Sequence, residues 1–188
     1  MKQESTVKYI LRLTFTLLII CAVVAGILAA VNAITAPIIT AAKEAKTQAA
    51  IEAVLPGGGK ETEFADETGL VTKAYIGKNG YAVQVEPAGF GGAISMMVGV
   101  DFDGNVLGIS IISHAETPGL GAVAAQNTDK GVAFRDQFVG LIEGITIGDG
   151  ENQIDSLSGA TISSQAIVDG VNAALACKVA LIPFISYS

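Results

Sequence analysis

The chain has 188 residues, of which 51% are hydrophobic and only 15% are charged. This length allows one domain, or one domain with an anchor. The formal net charge is −7, which argues against a nucleic-acid partner, because phosphate backbones are held by Lys and Arg. Two cysteines and one histidine, without a CxxC pair, provide neither a disulfide framework nor a self-contained zinc or iron–sulfur site.

The apolar excess is concentrated near the N-terminus. No charged residue lies between Arg12 and Lys43, and this run exceeds the ~20 residues that cross a bilayer. We predict a retained membrane helix from about Tyr9 to Val31, within an anchor of residues 1–36. A cleaved signal peptide is the alternative, but the apolar core of a signal peptide has only ~7–15 residues.

The charges around the apolar run predict its orientation. Residues 1–42 carry three basic residues and one acidic residue, a net charge of +2, so residues 43–188 carry −9 to give −7 overall. Basic residues beside a span favour the cytoplasmic side of the membrane. We therefore expect a single-pass protein of the cell membrane with a cytoplasmic N-terminus and an extracytoplasmic C-terminal domain.

Residues 37–60 are expected to connect the anchor to the domain. Pro37 predicts a kink or the start of a second helix, because proline interrupts the backbone hydrogen bonds. The segment Ile38–Leu55 is rich in alanine and favours a helix. The following Pro56–Gly59 segment should end that helix.

Residues 61–188 have the pattern of an α+β domain, with a mostly antiparallel sheet and flanking helices. The alternating segments Val71–Ile76 and Tyr81–Val85 are separated by an Asn-Gly turn, which is a strong hairpin signal. The segments Ala93–Val100 and Val106–Ile112 form a second predicted pair of strands.

Weaker patterns follow in the C-terminal half. Gly131–Phe138 is predicted as a short helix or loop, Ile145–Ile147 as a small strand, and a helix follows Ser164. The apolar tail Val179–Tyr187 is expected to pack against the domain or a neighbouring membrane protein of the same complex. We interpret His114 as a hydrogen-bonded loop residue, since the chain lacks a G-x-S-x-G nucleophile motif.

The stretch Asp155–Ser164 carries five hydroxyl side chains just before an apolar helical pattern that starts at Ile162. Ser and Thr in this place are candidates for capping the free backbone N–H groups of the helix. A helix N-terminus beside small residues can also bind a phosphate. The residues alone leave both interpretations open.

This stretch resembles a motif of the FMN-binding domain family. The segment Asp155–Thr161 reads D-S-L-S-G-A-T and is similar to the family pattern D-x-x-(S/T)-G-A-T. The resemblance implies that FMN is attached covalently to Thr161 through a phosphoester. It also implies that Asp155 is recognised by a flavin transferase.

Three further segments occur in the same order as in that family: Gly89–Gly92, Asp103-Gly104 and the Glu-Thr-Pro-Gly-Leu-Gly segment Glu116–Gly121. The resemblance implies that the last segment lines the flavin, and it implies no catalytic or metal-binding residue. The cofactor-binding residues that it implies are Thr161, Ser158, Gly159, Ala160, Ser163, Glu116, Thr117, Gly119, Leu120 and Gly121.

Within this family, a membrane anchor with an outside domain resembles two kinds of membrane protein. These are the G subunits of Rnf-type ferredoxin:NAD oxidoreductases and the C subunits of sodium-translocating NADH:quinone oxidoreductases. The latter are usually longer, so the short chain favours the G subunits. The implied function is electron transfer in an ion-translocating complex, without independent turnover, and partner subunits would supply iron–sulfur clusters and the ion path.

Two other hypotheses stay open. The chain could be a membrane-anchored extracellular binding or assembly module without flavin, in which Thr161 merely caps a helix. It could also be a stand-alone extracellular flavoprotein reductase.

Overall fold

A computed structural model describes residues 6–64 and 67–177. The chain divides between Ala45 and Lys46 into two compact units. The expected packing of the apolar tail Val179–Tyr187 lies outside the described residues.

One long helix, α1 (Thr6–Val54), contains the whole uncharged run. Its most apolar window has a mean hydropathy of 2.8 and is not buried by other parts of the described chain. By length and composition this helix can cross a membrane. It also continues through Pro37, so the second helix considered for this position does not form. A proline removes one hydrogen bond, and the strong helix formers after it allow the helix to resume.

The last turns of α1 belong to the second unit. The helix ends at Val54, just before the predicted Pro-Gly breaker. Its end packs on one face of the sheet through a small buried cluster, formed by Ala50, Ile51, Val54, Leu55, Tyr75, Ala82 and Met97.

A five-stranded antiparallel sheet forms the centre of the second unit. Its strands follow chain order: β1 (Lys60–Thr62), β2 (Val71–Ile76), β3 (Gly80–Val85), β4 (Ser95–Asp101) and β5 (Val106–Ser113). Both predicted hairpins are confirmed, with β2 paired to β3 and β4 paired to β5. Strand β1 was not predicted, because its Lys-Glu-Thr has no apolar position.

Short elements complete the unit after β5. They are a 3₁₀ helix (Gly121–Ala125), α2 (Asp129–Asp136), the parallel pair β6 (Thr146–Ile147) and β7 (Gln153–Ile154), and α3 (Thr161–Ala176). The structure thus confirms the predicted α+β fold with a mostly antiparallel sheet and flanking helices.

Helix α3 packs on the sheet over strands β3 and β4. Its side chains Ile167, Val168 and Val171 are fully buried there. Gly170 lies directly against Met96 and Pro87, where a Cβ atom would collide with both side chains. This close approach fixes the position of α3, and with it the position of the first turn that forms the candidate site.

Candidate cofactor site

A cavity of about 380 Å³ opens beside the first turn of α3. Its volume is within the range of cofactor sites, about 300–1,000 Å³. Two stretches that are distant in sequence form its walls, together with one residue of the Gly89–Gly92 loop. The lining residues are Phe90, Glu116, Thr117, Leu120, Gly121, Gly159, Ala160, Thr161, Ile162 and Ser163.

Eight of the ten residues implied by the family resemblance line this cavity. The other two, Ser158 and Gly119, belong to the adjoining turns instead. Ser158 is exposed on the loop before α3. Gly119 has a positive φ of 78°, a conformation that L residues other than glycine rarely adopt, so its contribution is to the turn.

Two lining residues, Phe90 and Ile162, were absent from the residues implied by the resemblance. Both are apolar and exposed, at 70% and 59%. Ile162 begins the apolar helical pattern, but its side chain is exposed and lines the cavity. The signal for Phe90 was present in the sequence: an aromatic residue between glycines has no regular strand or helix to bury it.

The first turn of α3 differs from the capped turn that the hydroxyl residues suggested. The helix begins at Thr161, its N-cap residue is Ala160, and no side chain caps the turn. The capping interpretation was therefore wrong, because alanine has no side-chain oxygen to accept the first N–H groups. Uncapped N–H groups and the helix dipole together favour an anion at this end.

A buried carboxylate joins the walls of the cavity. Glu116 is 6% exposed, and its Oε1 accepts a hydrogen bond from the backbone N–H of Gly91 at 2.9 Å. Its Oε2 accepts a short hydrogen bond from the Ser163 hydroxyl in the first turn of α3. A buried carboxylate needs such donors, since its transfer from water is otherwise very unfavourable. Glycines at 89 and 121 leave room for it, because a Cβ at either position would collide with its oxygens.

His114 supports the same segment from outside the cavity. Its Nδ1 accepts a hydrogen bond from the backbone N–H of Glu116 at 3.2 Å. The structure thus confirms the interpretation of His114 as a hydrogen-bonded loop residue.

Residues Asp155–Ala160 form the loop that directly precedes Thr161, here named the acceptor loop. Its turn is closed by the N–H of Ala160, which donates to the carbonyl of Leu157 at 2.9 Å. Gly159 has φ +73° within this turn. Asp155 is exposed, and its backbone N–H donates to Oε1 of Gln137 at 2.7 Å.

Residues 89–176 match the FMN-binding domain family. The G subunit of the proton-translocating ferredoxin:NAD(+) oxidoreductase complex of Clostridium ljungdahlii is 34% identical over 183 aligned positions, in an alignment that covers 93% of this chain and 95% of the relative. The G subunit of the Na(+)-translocating ferredoxin:NAD(+) oxidoreductase complex of Acetobacterium woodii is 34% identical over 192 aligned positions, in an alignment that covers 88% of this chain and 89% of the relative.

The chain belongs to the G-subunit family of ion-translocating oxidoreductase complexes. This membership confirms the G-subunit resemblance seen in the sequence. Among solved structures, the C subunit of the Na(+)-translocating NADH-quinone reductase of Parabacteroides distasonis is similar with a TM-score of 0.44 and 19% identity, over 66% of this chain and 62% of that one.

Proposed function

We propose that this chain is the electron-transferring G subunit of a membrane-bound, ion-translocating ferredoxin:NAD oxidoreductase, with FMN in the cavity beside α3. The observation that carries the proposal is that Thr161 and four residues of the Glu116–Gly121 segment line one cavity. The family match over residues 89–176 and the names of the two G-subunit relatives support it.

The residues of the cavity fit FMN in chemistry, and the cavity volume of about 380 Å³ lies within the range of cofactor sites. Phe90, Leu120 and Ile162 offer apolar surface for a flavin ring. The uncapped first turn of α3 offers free N–H groups for a phosphate. Cofactor sites commonly combine an apolar lining with a few placed polar groups in this way.

We infer that the attachment is covalent and uses Thr161, which is the first residue of α3 and is exposed at the cavity. The Thr161 Oγ1–phosphorus bond would form as the phosphoanhydride bond of a flavin dinucleotide breaks. A nucleoside monophosphate leaves, the hydroxyl proton passes to solvent, and no electron is transferred. A flavin transferase would catalyse this step.

FMN carries one or two electrons when it is bound, so it can connect one-electron and two-electron carriers. The described residues of this chain would attach the cofactor at Thr161 and orient it between walls that Glu116 joins. The partners would be other membrane and peripheral subunits of the complex, where iron–sulfur clusters and the ion path belong.

The same proposal includes the location of the protein. The apolar α1 would anchor it as a single-pass protein of the cell membrane. The +2 charge of residues 1–42 supports a cytoplasmic N-terminus. The acidic second unit would then lie outside the cytoplasm.

Mass spectrometry of the intact protein and in-gel flavin fluorescence test the flavin assignment directly. The full chain, produced together with a flavin transferase, should gain the mass of one FMN phosphoester and should fluoresce. Thr161→Val should lose both signals but keep the fold, whereas Thr62→Val on the edge strand β1 should keep both. A flavin-free wild-type chain, or an unchanged mass addition in Thr161→Val, would contradict the proposal.

A further inference from the structure

The acceptor loop is held at both ends by side chains that do not line the cavity. Ser164 holds the end near α3, and Gln137 holds the end near Asp155. Neither residue belongs to the motif that resembles the family pattern. Their hydrogen bonds go to the acceptor loop, and neither side chain is in the cavity lining.

Ser164 uses its hydroxyl fully within the acceptor loop. It is completely buried; its Oγ accepts the N–H of Leu157 at 2.9 Å and donates to the carbonyl of Ala160 at 3.0 Å. A single hydroxyl thus binds both ends of the Leu157–Ala160 turn, which directly precedes Thr161. Apolar replacement would leave the partly buried N–H of Leu157 without this partner, and burial of an unpaired N–H group is unfavourable.

Gln137 acts on the other end from the end of α2. Its Oε1 accepts the N–H of Asp155 at 2.7 Å, and its Nε2 approaches the carbonyl of the same residue at 3.5 Å. The buried rings of Phe134 and Phe138 pack edge to face, with centroids 5.6 Å apart, and anchor this end of α2 in the core. The backbone of Asp155 is thereby fixed while its carboxylate stays exposed.

We propose that Ser164, together with Gln137, is a positioning residue for flavin attachment: the two side chains hold the acceptor loop in the conformation that the transferase binds. This inference rests on the proposed covalent attachment at Thr161. A segment that must be ordered during binding weakens that binding, whereas a preformed segment avoids this loss. Ser164 would therefore act on recognition of the chain and not on the chemical step.

The test compares Ser164→Ala with Ser113→Ala in the full chain in detergent. Ser113 is the control, since it lies outside the acceptor loop and the cavity lining, and its side chain makes no hydrogen bond to the described residues. Each variant is incubated with purified flavin transferase and a flavin dinucleotide, and mass addition is followed at increasing chain concentration. For Ser164→Ala we expect KM for the chain to rise about tenfold with kcat unchanged, which is the pattern of a binding-only effect.

Hydrogen exchange without transferase or flavin provides the second measurement. The Leu157 amide should lose protection in Ser164→Ala and keep it in Ser113→Ala. Gln137→Met keeps the size of the half-buried side chain, and it tests the same idea if Ser164→Ala fails to fold. In Gln137→Met the Asp155 amide should lose protection and KM should rise.

The outcomes separate this inference from the proposed function. If the loop amides lose protection but KM stays within about twofold of the wild-type value, the inference is wrong, whatever happens to kcat. Retained protection of the Leu157 amide in Ser164→Ala and of the Asp155 amide in Gln137→Met would overturn the inference as well. A wild-type chain that gains no flavin would instead refute the proposed attachment.

Discussion

The backbone N–H of Gly91 donates to Oε1 of Glu116 at 2.9 Å, although 25 residues separate them in the sequence. Since Oε2 of the same carboxylate accepts from Ser163, one side chain holds the Gly89–Gly92 loop against the first turn of α3. The width of the cavity therefore depends on a residue that is itself almost fully buried.

Glu116→Ala should lower both stability and flavin content. It leaves the Gly91 N–H without its acceptor, and we expect the free energy of unfolding to fall by about 1–3 kcal/mol. Glu116→Gln should be milder, because its amide oxygen can still accept from Gly91 and the Ser163 hydroxyl can accept from its NH₂ group. Chemical denaturation and the flavin-to-protein ratio measure the two effects; equal losses in both variants would argue against this role.

Gly121→Ala should disturb the same region by steric conflict. The added Cβ would collide with the Ser163 hydroxyl and with Oε2 of Glu116, and overpacking of this kind lowers stability by about 1–3 kcal/mol. Gly108→Ala on β5 is the matched control, because no atom of the described residues, apart from its own chain neighbours, lies within 4 Å of its added Cβ. Thermal unfolding of both variants checks the prediction, which fails if their melting temperatures fall equally.

Phe90→Ser should affect the cofactor and not the fold. Phe90 is 70% exposed, so we expect the free energy of unfolding to change by less than about 0.5 kcal/mol. With its ring removed, the bound flavin should be quenched more readily by a soluble quencher such as iodide. Phe102→Ser, which changes an exposed phenylalanine outside the cavity lining, should leave quenching unchanged.

Asp101 should contribute to the acid sensitivity of the domain. Burial acts to raise its pKa, but hydrogen bonds from the side chain and backbone of Asn105, and from the backbone of Gly104 and Asp103, lower it overall. Because the pKa of Asp101 is lower in the folded state, it contributes stability at any pH above the Asp pKa of the unfolded chain, about 3.9. That stability is lost as the pH falls through the lower pKa that Asp101 has in the folded state.

Asn105→Ala removes the side-chain hydrogen bond to Asp101, which measures 2.8 Å. We therefore expect a smaller loss of stability between about pH 6 and about pH 2 in Asn105→Ala than in the wild type. Denaturation curves at the two pH values measure this difference. An unchanged difference would show that the Asn105 side chain does not set the acid response.

The sequence was most informative where the determining interactions are local. Alternating apolar residues and an Asn-Gly turn predicted β2 and β3 with the bounds that the structure shows, to within one residue. Among the described strands, the three residues of β1 pair with β2 alone, so nothing in their own pattern predicts them.

The candidate site shows the same difference between local interactions, which the sequence predicts, and contacts between distant segments, which it does not. The motif resemblance located most of the cavity lining, but it could not indicate the direction of each hydroxyl. Ser163 bonds to Glu116, and Ser164 bonds back to the acceptor loop, so neither caps α3. These directions depend on tertiary packing, which brings α3 beside a segment 47 residues earlier in the chain.

The cavity takes one wall from residues 116–121 and the other from residues 159–163, so it is complete only after α3 has docked on the sheet. Under the proposed attachment, a chain that is truncated or misfolded near its C-terminus would offer the transferase no finished site. The flavin would then mark chains that have completed folding, and only those could enter electron transfer.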